Sequence, residues 1–121
     1  MARALLILVF SWFPLQLSAE ALLLMAEEDG CMWCARWNAE ISEAYPKTTE
    51  GRTAPLVRFD MYDAPPDGIT LLSSVRFSPT FILVRNGIEV DRIEGYPGEE
   101  FFWGLLGMML ERSEVSLKEA G

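Results

Sequence analysis

The sequence contains two cysteines, Cys31 and Cys34, separated by Met32 and Trp33. Residues three apart on a helix lie one turn from each other, so these two thiols can close and reopen a small disulfide ring. A cysteine at a helix N-terminus faces unpaired backbone N–H groups and the positive end of the helix dipole, which favour the thiolate. We therefore predict that Cys31 is the nucleophile and that Cys34, one turn further into the helix, resolves the mixed disulfide.

The sequence gives less support to three other uses of a C-x-x-C pair. A static disulfide closes so short a loop that it stabilises the fold little. A metal half-site would need two more ligands from another chain, and the sequence has no histidine to offer. Haem attachment requires a histidine after the second cysteine, and Ala35 stands there. Thiol–disulfide exchange, with the Cys31–Cys34 disulfide as the redox group and no other cofactor, is the favoured chemistry.

Charge composition limits the class of partner. The chain has 121 residues, with 18 acidic and 10 basic side chains and no histidine. This length suits one domain, and the acidic balance argues against nucleic acid, whose phosphates require clustered Lys and Arg. The absence of histidine excludes imidazole bases and Ser-His-Asp triads. We expect a monomer that acts on a protein carrying a disulfide or an oxidised thiol.

The charges close to the cysteines act in opposite directions. The acidic run of residues 27–29 opposes formation of the Cys31 thiolate, whereas Arg36 favours it. The direction of the redox reaction does not follow from these signs.

The N-terminal segment has the layout of a secretory signal peptide. Arg3 precedes an apolar stretch over residues 4–14, and small residues allow cleavage after Ala19 or Ala21. A membrane anchor is the alternative, but the apolar run is shorter than the ~20 residues that a spanning helix needs. The sequence thus predicts a signal peptide over residues 1–21 and an exported, periplasmic domain over residues 22–121.

Apolar periodicity and turn residues divide this domain into strands and helices. Strands are predicted at residues 22–26, 55–60, 79–85 and 88–93. Helices are predicted at residues 31–45, where Pro46 ends the segment, at 69–75 and at 99–112. Residues 47–53 and 62–68 are predicted connections.

The order β-α-β-α-β-β-α predicts an α/β fold with a four-stranded mixed sheet. Two strands joined by a helix are parallel, and the Asn86-Gly87 pair predicts an antiparallel hairpin between the last two strands. The right-handed crossover rule then places helices on both faces of the sheet.

Aromatic and apolar residues are assigned first to the core. Predicted core residues are Trp37, Phe59, Phe77 and Phe81, whereas Met32 and Trp33 are expected to be exposed beside Cys31. The last helix carries more apolar residues than one buried stripe requires. Deep packing of this helix is the favoured explanation, and a partner surface on it is the alternative.

Two further segments, together with the cysteines, resemble the thioredoxin superfamily. The stretch RFSPT, residues 76–80, resembles the segment in which a cis-proline precedes a core strand and faces the cysteines. The stretch RIEGY, residues 92–96, resembles the glycine-bearing loop beside the same site. The resemblance implies a thioredoxin-like fold, a cis bond between Ser78 and Pro79, and substrate binding by Met32, Trp33, Ser78, Pro79 and Gly95.

The match covers residues 22–112 and has two departures. Met-Trp occupies the positions between the cysteines where Gly-Pro is usual. Met25 stands where many thioredoxins bury an aspartate. Both departures bear on the redox potential and on how Cys34 loses its proton.

The stretch GCMWCARW and the export signal, in a chain without an extra N-terminal strand and helix, are most similar to the periplasmic thioredoxins of bacterial sulfur-oxidising (Sox) systems. That resemblance implies a reductant that regenerates the sulfur-carrier protein SoxYZ, with electrons from a membrane thiol–disulfide carrier. A general periplasmic disulfide reductase or isomerase and a Dsb-type oxidant are alternatives. A non-catalytic thioredoxin-like adaptor is an alternative of another class.

Overall fold

The computed structural model describes Val9, Ser11 and residues 21–117. The predicted signal peptide therefore lies almost entirely outside the described residues. The described chain forms one mixed sheet of four strands: β1 (Ala21–Glu27), β2 (Leu56–Asp60), β3 (Thr80–Arg85) and β4 (Ile88–Glu94). Their order across the sheet is β2-β1-β3-β4.

The predicted parallel direction of β1 and β2 and the predicted β3–β4 hairpin are confirmed, whereas the parallel direction predicted for the second and third strands is wrong, because β3 runs opposite to both β1 and β2 and no helix joins β2 to β3. Strand β1 runs parallel to β2 and antiparallel to β3, and β3 is antiparallel to β4. The turn between β3 and β4 is made by Asn86 and Gly87, whose φ angles are +52° and +80°. Positive φ at both central residues is the geometry of a type I′ turn, which suits the twist of paired strands.

The predicted helix over residues 31–45 is less regular than expected. Its α-helical part is α1 (Met32–Trp37), and a π-helical turn continues it over Asn38–Ser42 before a 3-10 turn at Tyr45–Lys47. The connection predicted at residues 47–53 is wrong in part, because it contains the short helix α2 (Thr49–Thr53). Thr48 begins that helix, and its Oγ1 accepts a hydrogen bond from the Gly51 N–H at 3.0 Å.

The helix predicted over residues 69–75 is wrong, because this segment is irregular chain. The carboxylate of Glu89, which is buried on β4, accepts a hydrogen bond from the Leu72 N–H at 3.0 Å. Arg92 binds the same carboxylate at 2.6 Å and donates to the Ser73 and Ser74 carbonyls. Side chains of β4 thus bind backbone groups of this segment, which holds it on the sheet without a helix.

This irregular segment covers one face of the sheet in place of the expected helix. Apolar side chains of the segment pack there on buried sheet residues, namely Ile69, Leu71 and Val75 on Leu24, Ile82 and Val84. The expectation of helices on both faces is corrected accordingly, since α1 and the C-terminal helix α3 (Glu99–Arg112) contribute their buried residues to the other face.

The main core lies between the sheet and those two helices. Its centre is a group of three fully buried rings, in which Trp37 is 5.3 Å from Phe81 and 5.8 Å from Phe102 between centroids. Phe59 is half-buried on the opposite face. The core assignment of Phe77 is wrong, because its side chain is 56% exposed.

Deep packing of the last helix is also wrong. Helix α3 buries one face, made of Phe102, Leu106, Met109 and Leu110. Phe101, Leu105 and Met108 stay exposed on another side of the same helix.

Candidate active site

The two cysteines form a disulfide at the start of α1. Cys31 is the residue before the helix, with extended backbone, and its Sγ accepts a hydrogen bond from the Cys34 N–H at 3.1 Å. Gly30, with φ +74°, makes the turn that leads from β1 into the helix. The sulfur of Cys31 therefore lies at the unpaired N–H groups of the first helical turn, as the sequence predicts.

The two sulfurs have different surroundings. Cys34 is 4% exposed and belongs to the core around Trp37, whereas Cys31 is half-buried at its edge. Met32 and Trp33, between them, are exposed as expected. A reactant approaching from solvent thus meets Cys31 first.

Arg36 does not act as a free charge beside the thiol. Its Nε donates to Glu40 Oε1 at 2.9 Å, and its guanidinium lies 5.7 Å from the centroid of the Trp33 ring. This arrangement orders the exposed Trp33 ring and neutralises much of the arginine charge.

Two distant loops meet the cysteine-bearing loop. The Ser78–Pro79 peptide bond is cis, Pro79 is buried and Ser78 is half-buried. Ser78 Oγ donates to Glu28 Oε1 at 2.6 Å, which joins its loop to the turn before Cys31. The Gly95 N–H donates to the Pro79 carbonyl at 2.8 Å. Hydrogen bonds thus join Gly95 to Pro79, and Ser78 to the turn before Cys31.

An acidic cleft opens beside the disulfide. It has a volume of about 370 Å³, and its lining includes the acidic residues Glu27, Glu28 and Asp29 together with both cysteines. Hydrogen bonds from Ser78 and Tyr62 lower the pKa of Glu28. The Glu28 carboxylate in this cleft is therefore negatively charged at neutral pH.

Arg58, on β2, lies behind the cysteine-bearing helix. Its guanidinium donates to Glu27 Oε2 at 2.9 Å, to Asn38 Oδ1 at 2.8 Å and to Ser42 Oγ at 2.9 Å. Met25, fully buried, places its Sδ 3.5 Å from Arg58 Nη1. The buried thioether of Met25 therefore contacts the same guanidinium that binds Glu27 and the cysteine-bearing helix.

Three residues of this site were missed by the sequence analysis: Glu28 as a hydrogen-bond acceptor, Arg58 and Tyr62. Arg58 reads as the solvent-facing residue of an alternating strand, and Tyr62 as part of a polar connection. Only the acidic run of residues 27–29 carried a signal, and that signal was its charge.

Within residues 21–117, no group of three or more Cys, Asp or Glu side chains is arranged to hold a metal ion. No helix in the described part of the chain has the length and apolar character needed to cross a bilayer.

Comparison with known proteins gives matches among solved structures alone, since no family model and no curated protein matches the chain. The reduced form of the periplasmic thioredoxin SoxS from Paracoccus pantotrophus is 49% identical, with a TM-score of 0.76, over 78% of this chain and 99% of that one.

Two other thioredoxins show the fold at lower identity. The thioredoxin of Fasciola hepatica is 22% identical, with a TM-score of 0.52, over 75% of this chain and 82% of its own. That of Malassezia sympodialis is 18% identical, with a TM-score of 0.54, over 75% of this chain and 78% of its own.

Proposed function

Because the chain belongs to the thioredoxin family and is a thiol–disulfide oxidoreductase, we propose a specific role for it. We propose that it is a periplasmic reductant that reactivates the sulfur-carrier protein SoxYZ of a Sox system. The observation that carries the proposal is the 49% identity to SoxS over 99% of that chain. The exposed Met32-Trp33 pair and the absence of a buried carboxylate at Met25 set this chain apart from the general thioredoxin pattern.

The reaction proceeds through two thiol–disulfide exchanges. The Cys31 thiolate forms a bond to one sulfur of the oxidised substrate, and the other sulfur leaves as a thiolate that takes up a proton. Cys34 then loses its proton and attacks Cys31 Sγ, which releases the substrate cysteine and leaves the Cys31–Cys34 disulfide. Two electrons pass from the dithiol to the substrate, and a membrane thiol–disulfide carrier then supplies two more electrons that reduce the Cys31–Cys34 disulfide to the dithiol.

Burial supports this division of roles between the cysteines. Cys31 lies at the helix start with its sulfur toward the cleft, so it is available for the first attack. Cys34, 4% exposed, can reach Cys31 Sγ but is shielded from a bulky substrate.

The substrate chain would bind across the loops that surround Cys31. Ser78 presents backbone groups next to Pro79, to which an extended substrate segment can add as a strand. Met32, Trp33 and Gly95 supply the remaining contacts. Support comes from the exposure of Met32 and Trp33 and from the hydrogen bond that ties Gly95 to Pro79.

Export remains part of the proposal. The mature protein begins after Ala19 or Ala21 and works as a monomer in the periplasm. N-terminal sequencing of the protein from a periplasmic extract decides between the two cleavage positions.

Covalent trapping tests the substrate. Cys34→Ser leaves the first exchange intact and blocks the second, so the natural partner accumulates as a mixed disulfide on Cys31. Expressed with its signal in a host that carries a Sox system, this variant is expected to capture chiefly the sulfur carrier through one cysteine. Cys31→Ser is the matched control and is expected to capture little.

Other trapping results would identify the alternatives. Many unrelated trapped proteins would indicate a general disulfide reductase or isomerase. An empty trap despite a reactive Cys31 would indicate the adaptor.

A redox titration against glutathione tests the direction. A reductant is expected near −270 mV, the value of thioredoxin, whereas an oxidant of the Dsb type lies near −120 mV. A potential near the second value would contradict the proposed reductant.

A further inference from the structure

Glu28 connects three segments around the disulfide through one carboxylate. Its Oε1 accepts from Ser78 Oγ at 2.6 Å, and its Oε2 accepts from the Tyr62 hydroxyl at 2.6 Å. Tyr62 and Ser78 follow Glu28 by 34 and 50 positions in the chain. Glu28 itself lies just before the turn that presents Cys31.

We propose that Glu28 is a positioning residue that holds Ser78 and Tyr62 in place for a protein substrate, and that Tyr62 is a further substrate-contacting residue. This inference rests on the proposed role of Ser78 in binding the substrate chain. It does not depend on which protein the substrate is.

The negative charge of Glu28 strengthens its hydrogen bonds to Ser78 and Tyr62 at neutral pH. Hydrogen bonds from Ser78 and Tyr62 lower the pKa of Glu28, and the same carboxylate raises the pKa of Tyr62. The carboxylate therefore stays ionised and the phenol stays neutral at neutral pH. Both hydrogen bonds are charge-assisted, which makes them stronger than bonds between neutral groups.

Tyr62 is exposed but ordered. Its side chain is 76% exposed, yet its hydroxyl is bound to Glu28 and its backbone N–H donates to Asp60 Oδ1 at 2.8 Å. The neighbouring Met61 N–H donates to the Glu27 carbonyl at 2.8 Å. An aromatic ring fixed at both ends binds an apolar side chain at low entropic cost, which suits a residue flanking the substrate cysteine.

These three residues are placed to affect binding of a peptide substrate rather than the thiol–disulfide exchange itself. Glu28, Ser78 and Tyr62 lie on loops outside the aromatic core, and none of them supplies a thiol. A small disulfide needs access to Cys31 alone, whereas a peptide substrate also needs the ordered loops. Loss of the Glu28 carboxylate is therefore expected to weaken peptide binding, and to affect the exchange with a small disulfide only as much as loss of another charge of the same cleft does.

Two probes with the same leaving group test this expectation. One is 2-hydroxyethyl disulfide, which is small and neutral. The other is a short neutral peptide with apolar residues around a single cysteine that is joined in a mixed disulfide to 2-mercaptoethanol. The rate at which the reduced protein is oxidised is measured against the concentration of each.

Glu28→Gln is expected to raise the half-saturating peptide concentration about tenfold, the scale of one charge-assisted hydrogen bond. Its rate with 2-hydroxyethyl disulfide is expected to change by the same factor as that of Asp29→Asn, because each variant removes one charge from the acidic run that opposes the Cys31 thiolate. Tyr62→Phe keeps the ring and removes one bond, so its effect is smaller, while Tyr62→Ala removes the contact surface as well. Asp29→Asn is the matched control, because it removes one charge from the same cleft and leaves both hydrogen bonds in place.

Three results would overturn the proposal. Equal effects of Glu28→Gln and Asp29→Asn on the half-saturating peptide concentration would show that charge alone matters. Equal slowing with both probes would place the effect on the cysteines, and an unchanged peptide curve in Glu28→Gln would remove the positioning role. Failure to trap the Sox carrier would contradict the proposed function without changing any of these outcomes.

Discussion

The guanidinium of Arg58 lies over the indole of Trp37, with its Cζ 5.5 Å from the ring centroid. Trp37 is three residues after Cys34 and fully buried, so this contact joins strand β2 to the helix that carries Cys34. The hydrogen bonds of Arg58 to Asn38 and Ser42 fall on the π-helical turn that follows. Arg58 thus fixes both the ring behind the cysteine and the irregular part of the helix.

Arg58→Ala is expected to lower the free energy of unfolding by about 2 kcal/mol, since it removes several hydrogen bonds and a cation–π contact at a partly exposed site. Arg58→Lys is expected to lose less, because an ammonium keeps a charge near Glu27 but lacks the planar fork. Urea unfolding measures both. The exposed Arg76 provides the control, and an equal loss in Arg76→Ala would contradict a specific role for Arg58.

In the reduced protein, Cys31 is expected to react with iodoacetamide at neutral pH at least about ten times faster than Cys34, since a thiol at a helix start is activated and a buried one is inert. Peptide mapping by mass spectrometry after a short exposure measures the two sites separately. Equal labelling of both thiols in the folded protein would argue against the assigned order of attack.

Substitution of two neighbouring phenylalanines on α3 by alanine is expected to change the free energy of unfolding by very different amounts. Phe102→Ala is expected to cost about 3–5 kcal/mol, because it empties a fully buried site among aromatic rings. Phe101→Ala, at a side chain 70% exposed, is expected to change the free energy of unfolding by less than about 0.5 kcal/mol. Urea unfolding of the pair checks this, and similar losses would mean that Phe101 is also packed.

The tyrosines are expected to ionise late. Burial, followed by a hydrogen bond to Glu40, raises the pKa of Tyr96 to about 12, and Glu28 raises the pKa of Tyr62. Because the folded state favours the neutral phenols, their contribution to stability is complete below the usual pKa of about 10 and is lost as the pH rises through the folded values.

Ultraviolet absorbance followed during alkaline titration measures phenolate formation. It is expected to begin above the range of an exposed tyrosine, and Glu28→Gln is expected to return one tyrosine toward that range. A titration of the native protein centred at or below the usual value would contradict the hydrogen bonds to Glu28 and Glu40.

The sequence by itself determined the features that depend on neighbours in the chain. The spacing of Cys31 and Cys34, the Asn86-Gly87 turn and the bounds of α3 each follow from local geometry, because a helical turn, a positive φ or an apolar stripe is encoded within a few residues. The parallel β1–β2 pair and the antiparallel β3–β4 hairpin follow from the same local elements and the lengths of their connections.

The tertiary structure decided which distant groups meet. Glu28 binds Ser78 across 50 positions, and Arg58 binds Glu27 across 31. The buried Glu89 takes the Leu72 N–H that a helix would have paired, so the apolar pattern of residues 69–75 covers the sheet without one. The pattern of apolar and polar residues along the sequence indicates which side chains face the core. The partner of a polar group, however, depends on the packing of segments far apart in the chain.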